Sequence, residues 1–116
     1  MFQYDKAQGS PFGNFVSLSG NFEGDDFNYI YVEEAAFYER MKPELLLPLN
    51  LFMATGGAEE ERFIVGFLNM KDLLLSRDYQ QFRYDSKLYP GLNHGSIILP
   101  AVEDGLRFIF SVWTAD

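Results

Sequence analysis

The sequence predicts a small α+β domain, in which a mainly antiparallel sheet built of hairpins carries two helices packed on one face. Three observations lead to this expectation. Short runs of aromatic and β-branched residues are separated by turn residues. Two other segments place apolar residues at helical spacing. The pair Asp104-Gly105 stands between two apolar runs, as in many hairpin turns. A chain of 116 residues that is 47% hydrophobic is expected to form one domain over 1–116.

The N-terminal third is expected to contain two strands followed by a short helix. Residues 15–18 and 27–32 are rich in β-branched and aromatic side chains, which favours strands. Residues 33–41 are predicted to be helical, because two glutamates would lie in the first turn, where the helix dipole favours negative charge. Pro43 is expected to end this helix at or before Lys42.

The middle of the chain allows two interpretations. Apolar residues alternate over 45–54 as they do in a strand, although Pro48 would also suit the start of a helix. The apolar run at 63–68 would pair with this strand as a hairpin, with three consecutive glutamates near the tip of the loop. The hairpin is the preferred interpretation.

The C-terminal half is expected to hold one helix and a final hairpin. Asn69 is a suitable N-cap for a helix over 69–83. Residues 84–95, with Pro90 and two glycines, are predicted to form a loop. The segments 96–102 and 106–113 would pair around Asp104-Gly105. One face of the last strand, formed by Phe108, Phe110 and Val112, would pack against the helix.

Charge is distributed unevenly along the chain. The net charge is −8, and the first 61 residues account for all of it with eleven acidic and three basic side chains. Binding to nucleic acid or to anionic membranes requires clustered Lys and Arg, so neither is expected. The chain has no cysteine, and its first residues lack the basic and apolar pattern of a secretory signal. A cytoplasmic location is therefore expected.

Residues that commonly carry catalysis or bind metals are scarce. Without cysteine and with a single histidine, a zinc site is not expected. An EF-hand loop counted from Asn21 would need glycine at its sixth position and glutamate at its twelfth, where Asp26 and Val32 stand. His94 and Ser96 suggest a base and a nucleophile, but a triad requires groups that converge in space. The sequence-based expectation is a solvated His94, with no catalytic residue, no metal, no cofactor and no enzymatic activity.

The segment 21–39 is the feature most suggestive of function. It contains six acidic residues, no basic residue and six aromatic residues. Tyrosine is favoured at interfaces, and neighbouring carboxylates would steer a basic partner. The predicted partner-binding residues are Glu23, Asp25, Asp26, Tyr29, Tyr31, Glu33 and Glu34.

These residues lead to the expectation of a non-enzymatic inhibitor or immunity-type protein that neutralises a basic partner protein of the toxin or nuclease class. Two alternatives stay open. One is an accessory subunit that forms a homo-oligomer through an aromatic surface. The other is a small enzyme or ligand-binding domain that uses His94.

Overall fold

Strands and helices alternate along the chain. The computed structural model describes residues 13–20 and 28–111. Within these residues the elements are β1 (Asn14–Leu18), α1 (Asn28–Met41), β2 (Asn50–Gly56), α2 (Glu61–Ser76), β3 (Arg83–Tyr89) and α3 (Ile98–Phe110). The three strands form one sheet in the order β1-β2-β3, and β2 pairs in parallel with both neighbours. The expected antiparallel sheet of hairpins is therefore wrong.

The central strand β2 is buried on both faces of the sheet. Leu51 and Met53 belong to a core cluster that also contains residues of α1 and α2. Phe52 and Ala54 belong to a second cluster, with Ala101 of α3. Two helices therefore cover one face and the third covers the other. This arrangement is typical of parallel sheets, and it accounts for the continuous apolar sequence of β2.

The predictions for the N-terminal third are partly confirmed. The strand predicted at 15–18 is β1, and α1 ends at Met41, just before Pro43. The strand predicted at 27–32 is wrong from residue 28 onward, because these residues form the first turns of α1. Helix α1 buries Glu34, Phe37 and Met41, which are spaced as one face of a helix. Residue 27 lies outside the described part of the chain.

The pairing predicted for the second half is wrong. Of the preferred middle hairpin, β2 confirms the strand at residues 50–54, whereas 63–68 lie inside α2. Helix α2 starts earlier than the predicted 69–83 and ends at Ser76. The predicted loop 84–95 contains most of β3. Parallel strands need a crossover connection, and α2 supplies the one between β2 and β3.

The predicted final hairpin is the helix α3. Gly105 is buried within this helix, where a Cβ atom would lie 3.1 Å from the methyl groups of Val16. Gly105 therefore allows α3 to pack closely on β1 and does not form a turn. Phe108 is half-buried and Phe110 is exposed, so the predicted strand face does not form. Val112 lies outside the described residues.

Candidate acid–histidine site

Three segments that follow the three strands meet at one edge of the sheet. Because the strands are parallel, their carboxyl ends point in the same direction. Ser19 follows β1, Glu59 follows β2 and His94 follows β3. A carboxylate, an imidazole and a hydroxyl group from distant parts of the chain are thereby connected by hydrogen bonds.

The Glu59 carboxylate lies at the centre of this arrangement. Its side chain is 1% exposed. Oε2 accepts hydrogen bonds from Ser19 Oγ at 2.7 Å, from Thr55 Oγ1 at 3.0 Å and from the backbone N–H of Gly56. Oε1 lies 2.8 Å from His94 Nδ1. Both oxygens of the carboxylate are therefore engaged, each with a different set of partners.

These contacts keep Glu59 in its ionised form. Burial opposes ionisation and acts to raise the pKa of Glu59. The hydrogen bonds from Ser19, Gly56, His94 and Thr55 outweigh burial and hold that pKa below its ordinary value. Near neutral pH, His94 therefore faces a carboxylate, which can only accept hydrogen bonds.

His94 connects the buried carboxylate to the surface, because its side chain is 66% exposed. Since the Glu59 carboxylate can only accept a hydrogen bond, His94 Nδ1 carries a proton and donates the hydrogen bond. In a neutral imidazole with Nδ1 protonated, Nε2 has a free lone pair and can accept a proton. The ring of Phe63 lies against the imidazole, with 5.2 Å between centroids.

The loop after β3 is held close to the end of β2. Ala58 N donates to Leu92 O at 2.9 Å. A Cβ atom at Gly56 would lie 2.2 Å from Leu92 O, so only glycine allows the two loops to approach this closely. This contact brings His94 within reach of Glu59.

The residues around His94 form a compact capped turn. Asn93 Oδ1 accepts from the backbone N–H groups of Gly95 and Ser96, at 3.0 and 2.9 Å. Ser96 Oγ accepts from Asn93 N at 2.8 Å. Ser96, which the sequence suggested as a nucleophile, thus has a structural role in this turn.

A groove of about 370 Å³ opens beside the acid–histidine pair. Phe63, Arg62 and Asn93 contribute to its walls. Arg62 lies over the Phe63 ring at 4.9 Å and forms an exposed ion pair with Glu60 at 3.1 Å. A molecule bound in this groove would therefore contact an aromatic ring and charged groups of both signs.

The predicted partner-binding residues are not placed together on a described surface. Glu23, Asp25 and Asp26 lie outside the described residues, as does the side chain of Tyr29. Tyr31 is half-buried and packs against the core, and Glu33 is also half-buried.

Glu34 is fully buried and belongs to a separate polar cluster. Arg77 donates to both of its oxygens at 2.9 Å, from Nε and from one terminal nitrogen. Tyr79 donates its phenolic proton to Oε2 at 2.7 Å. Glu34 therefore joins α1 to the segment that follows α2.

Within residues 13–20 and 28–111, no group of three or more histidine, aspartate or glutamate side chains is placed to hold a metal ion. In the same ranges, no helix combines the length and the apolar character that crossing a bilayer requires.

Sequence reasoning noted both members of the pair without connecting them. The sequence predicts Glu59 near the tip of a hairpin loop and His94 in a solvated loop. Only Glu59 follows an apolar run, because the strand before His94 has the mixed sequence Arg-Tyr-Asp-Ser-Lys-Leu-Tyr. In a parallel sheet, residues that follow neighbouring strands meet at one edge, so the missing information was strand direction.

No protein family matches the sequence, and no curated protein matches it. A solved structure, the BES protein from Bacillus cereus, has a similar fold, with a TM-score of 0.66 and 18% sequence identity. The match covers 84% of this chain and 43% of that chain. This chain thus spans less than half the length of its structural neighbour, and the likeness shows the fold alone.

Proposed function

We propose that Glu59 and His94 form the acid–histidine pair of a hydrolytic site that acts on an acyl substrate such as a carboxylic ester. One observation carries this proposal: the 2.8 Å contact between a buried carboxylate and Nδ1 of an exposed histidine. A general base in acyl transfer is commonly a histidine that a carboxylate orients through Nδ1, which leaves Nε2 for the reacting groups.

In the proposed reaction, His94 Nε2 takes the proton of an attacking hydroxyl group while the oxygen of that group bonds to the acyl carbon. The carbonyl electrons move onto the carbonyl oxygen. They return as the bond to the leaving oxygen breaks, and the Nε2 proton passes to the leaving alkoxide. Glu59 stays ionised and stabilises the transient imidazolium. The attacking group is either water, which releases the acid directly, or a serine or threonine hydroxyl, in which case water then attacks the acyl-enzyme by the same steps and releases the acid.

The position of the pair supports this proposal. Ligands of open parallel sheets bind outside the carboxyl ends of the strands, which is where Glu59 and His94 lie. The acid also precedes the histidine in the chain, as it does in α/β-hydrolases. The comparison with α/β-hydrolases is an analogy, which concerns only the order of the two residues in the chain and their place at the ends of the strands.

The inhibitor that the sequence led us to expect stays a prediction, as do the basic partner, the homo-oligomer and the cytoplasmic location. Glu34, one of the acidic residues meant to steer a partner, is buried against Arg77 and Tyr79. Glu34 itself is therefore not at the surface, where a partner could contact it. We favour the alternative that uses His94, because its contact with Glu59 gives the histidine a chemical role.

The proposal is tested by the hydrolysis of p-nitrophenyl acetate and p-nitrophenyl butyrate. His94→Ala is expected to lower kcat/KM about 10²- to 10⁴-fold, the usual contribution of a general base. Glu59→Gln is expected to lower it about 10²-fold or more, because an amide no longer enforces the Nδ1–H tautomer. Glu39→Gln, which changes an exposed acid of α1 outside the groove, is the matched control and should leave kcat/KM within about twofold. Hydrolysis by the unmodified protein no faster than by His94→Ala would refute the proposal.

The same substrates identify the attacking group. A side-chain hydroxyl gives a burst of p-nitrophenolate and a covalent acetyl adduct visible by intact-mass spectrometry. Attack by water gives neither. Peptide mapping of the adduct would then locate the nucleophile.

A further inference from the structure

The two oxygens of the Glu59 carboxylate accept hydrogen bonds from different partners. Oε2 accepts all three hydrogen bonds that come from the strand ends, from Ser19, Thr55 and Gly56. Oε1 is left for His94. A carboxylate has about two acceptor positions on each oxygen, so Oε2 is fully engaged by the strand ends while Oε1 accepts from His94.

Ser19 is held at both its backbone and its side chain. It is buried, at 6% exposure, and its N–H donates to Ala54 O at 2.8 Å. Its φ angle is 50°, in the left-handed region that residues other than glycine adopt infrequently. Such conformations are often found at functional sites. Here the conformation accompanies a hydroxyl group that reaches the Glu59 carboxylate across 40 positions of sequence.

Thr55 holds the same oxygen from the central strand. It is 1% exposed, and its hydroxyl group donates to Oε2 at 3.0 Å. A glutamate side chain has several rotatable bonds and would otherwise sample many orientations. With Oε2 fixed by two hydroxyl groups and one backbone N–H, Oε1 has a fixed direction toward His94 Nδ1.

We infer that Ser19 and Thr55 are positioning residues, whose hydroxyl groups orient the Glu59 carboxylate so that His94 keeps its proton on Nδ1 and presents an unprotonated Nε2. The inference rests on the proposed function in so far as it concerns catalysis. Through Ser19, it gives the segment that follows β1 a part in the site. Neither residue is expected to touch the substrate.

The single histidine of the chain allows a direct test. Long-range ¹H–¹⁵N correlation spectra of uniformly ¹⁵N-labelled protein distinguish the two neutral tautomers, and every imidazole signal belongs to His94. At a pH where the imidazole is neutral, the unmodified protein should show the Nδ1–H form. The double variant Ser19→Ala/Thr55→Val should shift the population toward the Nε2–H form. It should also lower kcat about 10- to 100-fold, as expected for a misplaced catalytic group.

Conservative variants separate positioning from folding. Ser19→Thr and Thr55→Ser keep the hydroxyl groups and should retain the Nδ1–H form. Each single variant that removes a hydroxyl group should shift the population toward the Nε2–H form less than the double variant does. Ser17→Ala, in the strand β1 that Ser19 follows, is the matched control and should leave the spectrum unchanged. If Ser19→Ala, Thr55→Val and their combination all fold and keep the Nδ1–H form with unchanged kcat, the inference is wrong.

The two readouts distinguish the two proposals. A tautomer that depends on Ser19 and Thr55, in a protein that does not hydrolyse the esters, would refute the proposed function and support the positioning role. Hydrolysis that depends on Glu59 and His94, with a tautomer indifferent to the hydroxyl groups, would support the function and refute the positioning role.

Discussion

Glu34 and Glu59 are two buried carboxylates in very different surroundings. Glu34 accepts two hydrogen bonds from Arg77 and one from Tyr79. The Arg77 guanidinium is itself covered, lying over the Tyr38 ring at 4.0 Å. Glu59 accepts three hydrogen bonds on Oε2, and its other oxygen contacts a histidine that is 66% exposed.

The hydrogen-bonding partners of each carboxylate determine whether its cluster suits proton transfer. The hydrogen bond from Arg77 to Glu34 raises the pKa of Arg77, so the guanidinium stays charged. Burial, together with the Glu34 carboxylate, raises the pKa of Tyr79 above its ordinary value, so the phenol keeps its proton. Neither group exchanges protons near neutral pH. Histidine is the side chain whose ordinary pKa lies closest to neutrality, so of the two clusters only that of Glu59 suits proton transfer.

The largest effect on stability is expected from Glu34→Ala. The change leaves the Arg77 guanidinium partly buried without its bidentate partner and should lower the free energy of unfolding by about 3–5 kcal/mol. Urea denaturation followed by circular dichroism measures the loss. The His94 tautomer of the folded Glu34→Ala variant should be unchanged. In contrast, Glu59→Gln should no longer enforce the Nδ1–H form. A Glu34→Ala protein as stable as the unmodified one would show that the cluster of Glu34, Arg77 and Tyr79 does not stabilise the fold.

A smaller loss of stability, but a large effect on the site, is expected from Gly56→Ala. The new Cβ atom would lie 2.2 Å from Leu92 O, so the loops after β2 and β3 must separate. Overpacking of this kind costs about 1–3 kcal/mol. The separation should also weaken the contact between Glu59 and His94 and reduce the Nδ1–H form.

Gly13→Ala is the matched control, because a Cβ atom there meets nothing within 4 Å. It should change neither the urea midpoint nor the spectrum of His94. If Gly56→Ala behaves like Gly13→Ala, the close approach of the two loops does not hold the pair together.

The smallest effect concerns pH. The folded-state pKa of Glu59 is held below the ordinary value of 4.5, so ionised Glu59 contributes stability that is complete above that pH. The contribution is lost as the pH falls below 4.5 toward the folded-state pKa. Glu59→Gln should remove this part of the acid dependence in urea titrations.

Asp104, whose pKa is lowered by its hydrogen bond from Tyr89 and by Lys87, should keep its own contribution in the Glu59→Gln variant. Asp104→Asn therefore serves as the comparison. Equal acid dependence in the unmodified protein and in Glu59→Gln would show that the hydrogen bonds to Glu59 do not outweigh its burial.

Local sequence signals predicted some elements correctly and others incorrectly. Residues 15–18 are a strand and Pro43 follows the end of α1, because β-branched residues and proline act on the local backbone. Residues 28–32 combine features of strand and helix. Their place in α1 depends on a face that includes the buried Phe37 and Met41, which requires tertiary packing.

The sequence by itself determined which segments are apolar, where prolines interrupt them, and that one histidine and many carboxylates are available. Only the tertiary structure decided that the strands run parallel, that Asp104-Gly105 lies within a helix against Val16, and that Glu59 meets His94 across 35 positions. The physical reason is that an apolar run of a few residues suits a buried strand or a buried helix equally well. Strand direction depends on whether neighbouring strands are joined by a tight turn or by a crossover helix, and the parallel direction places the carboxylate beside the imidazole.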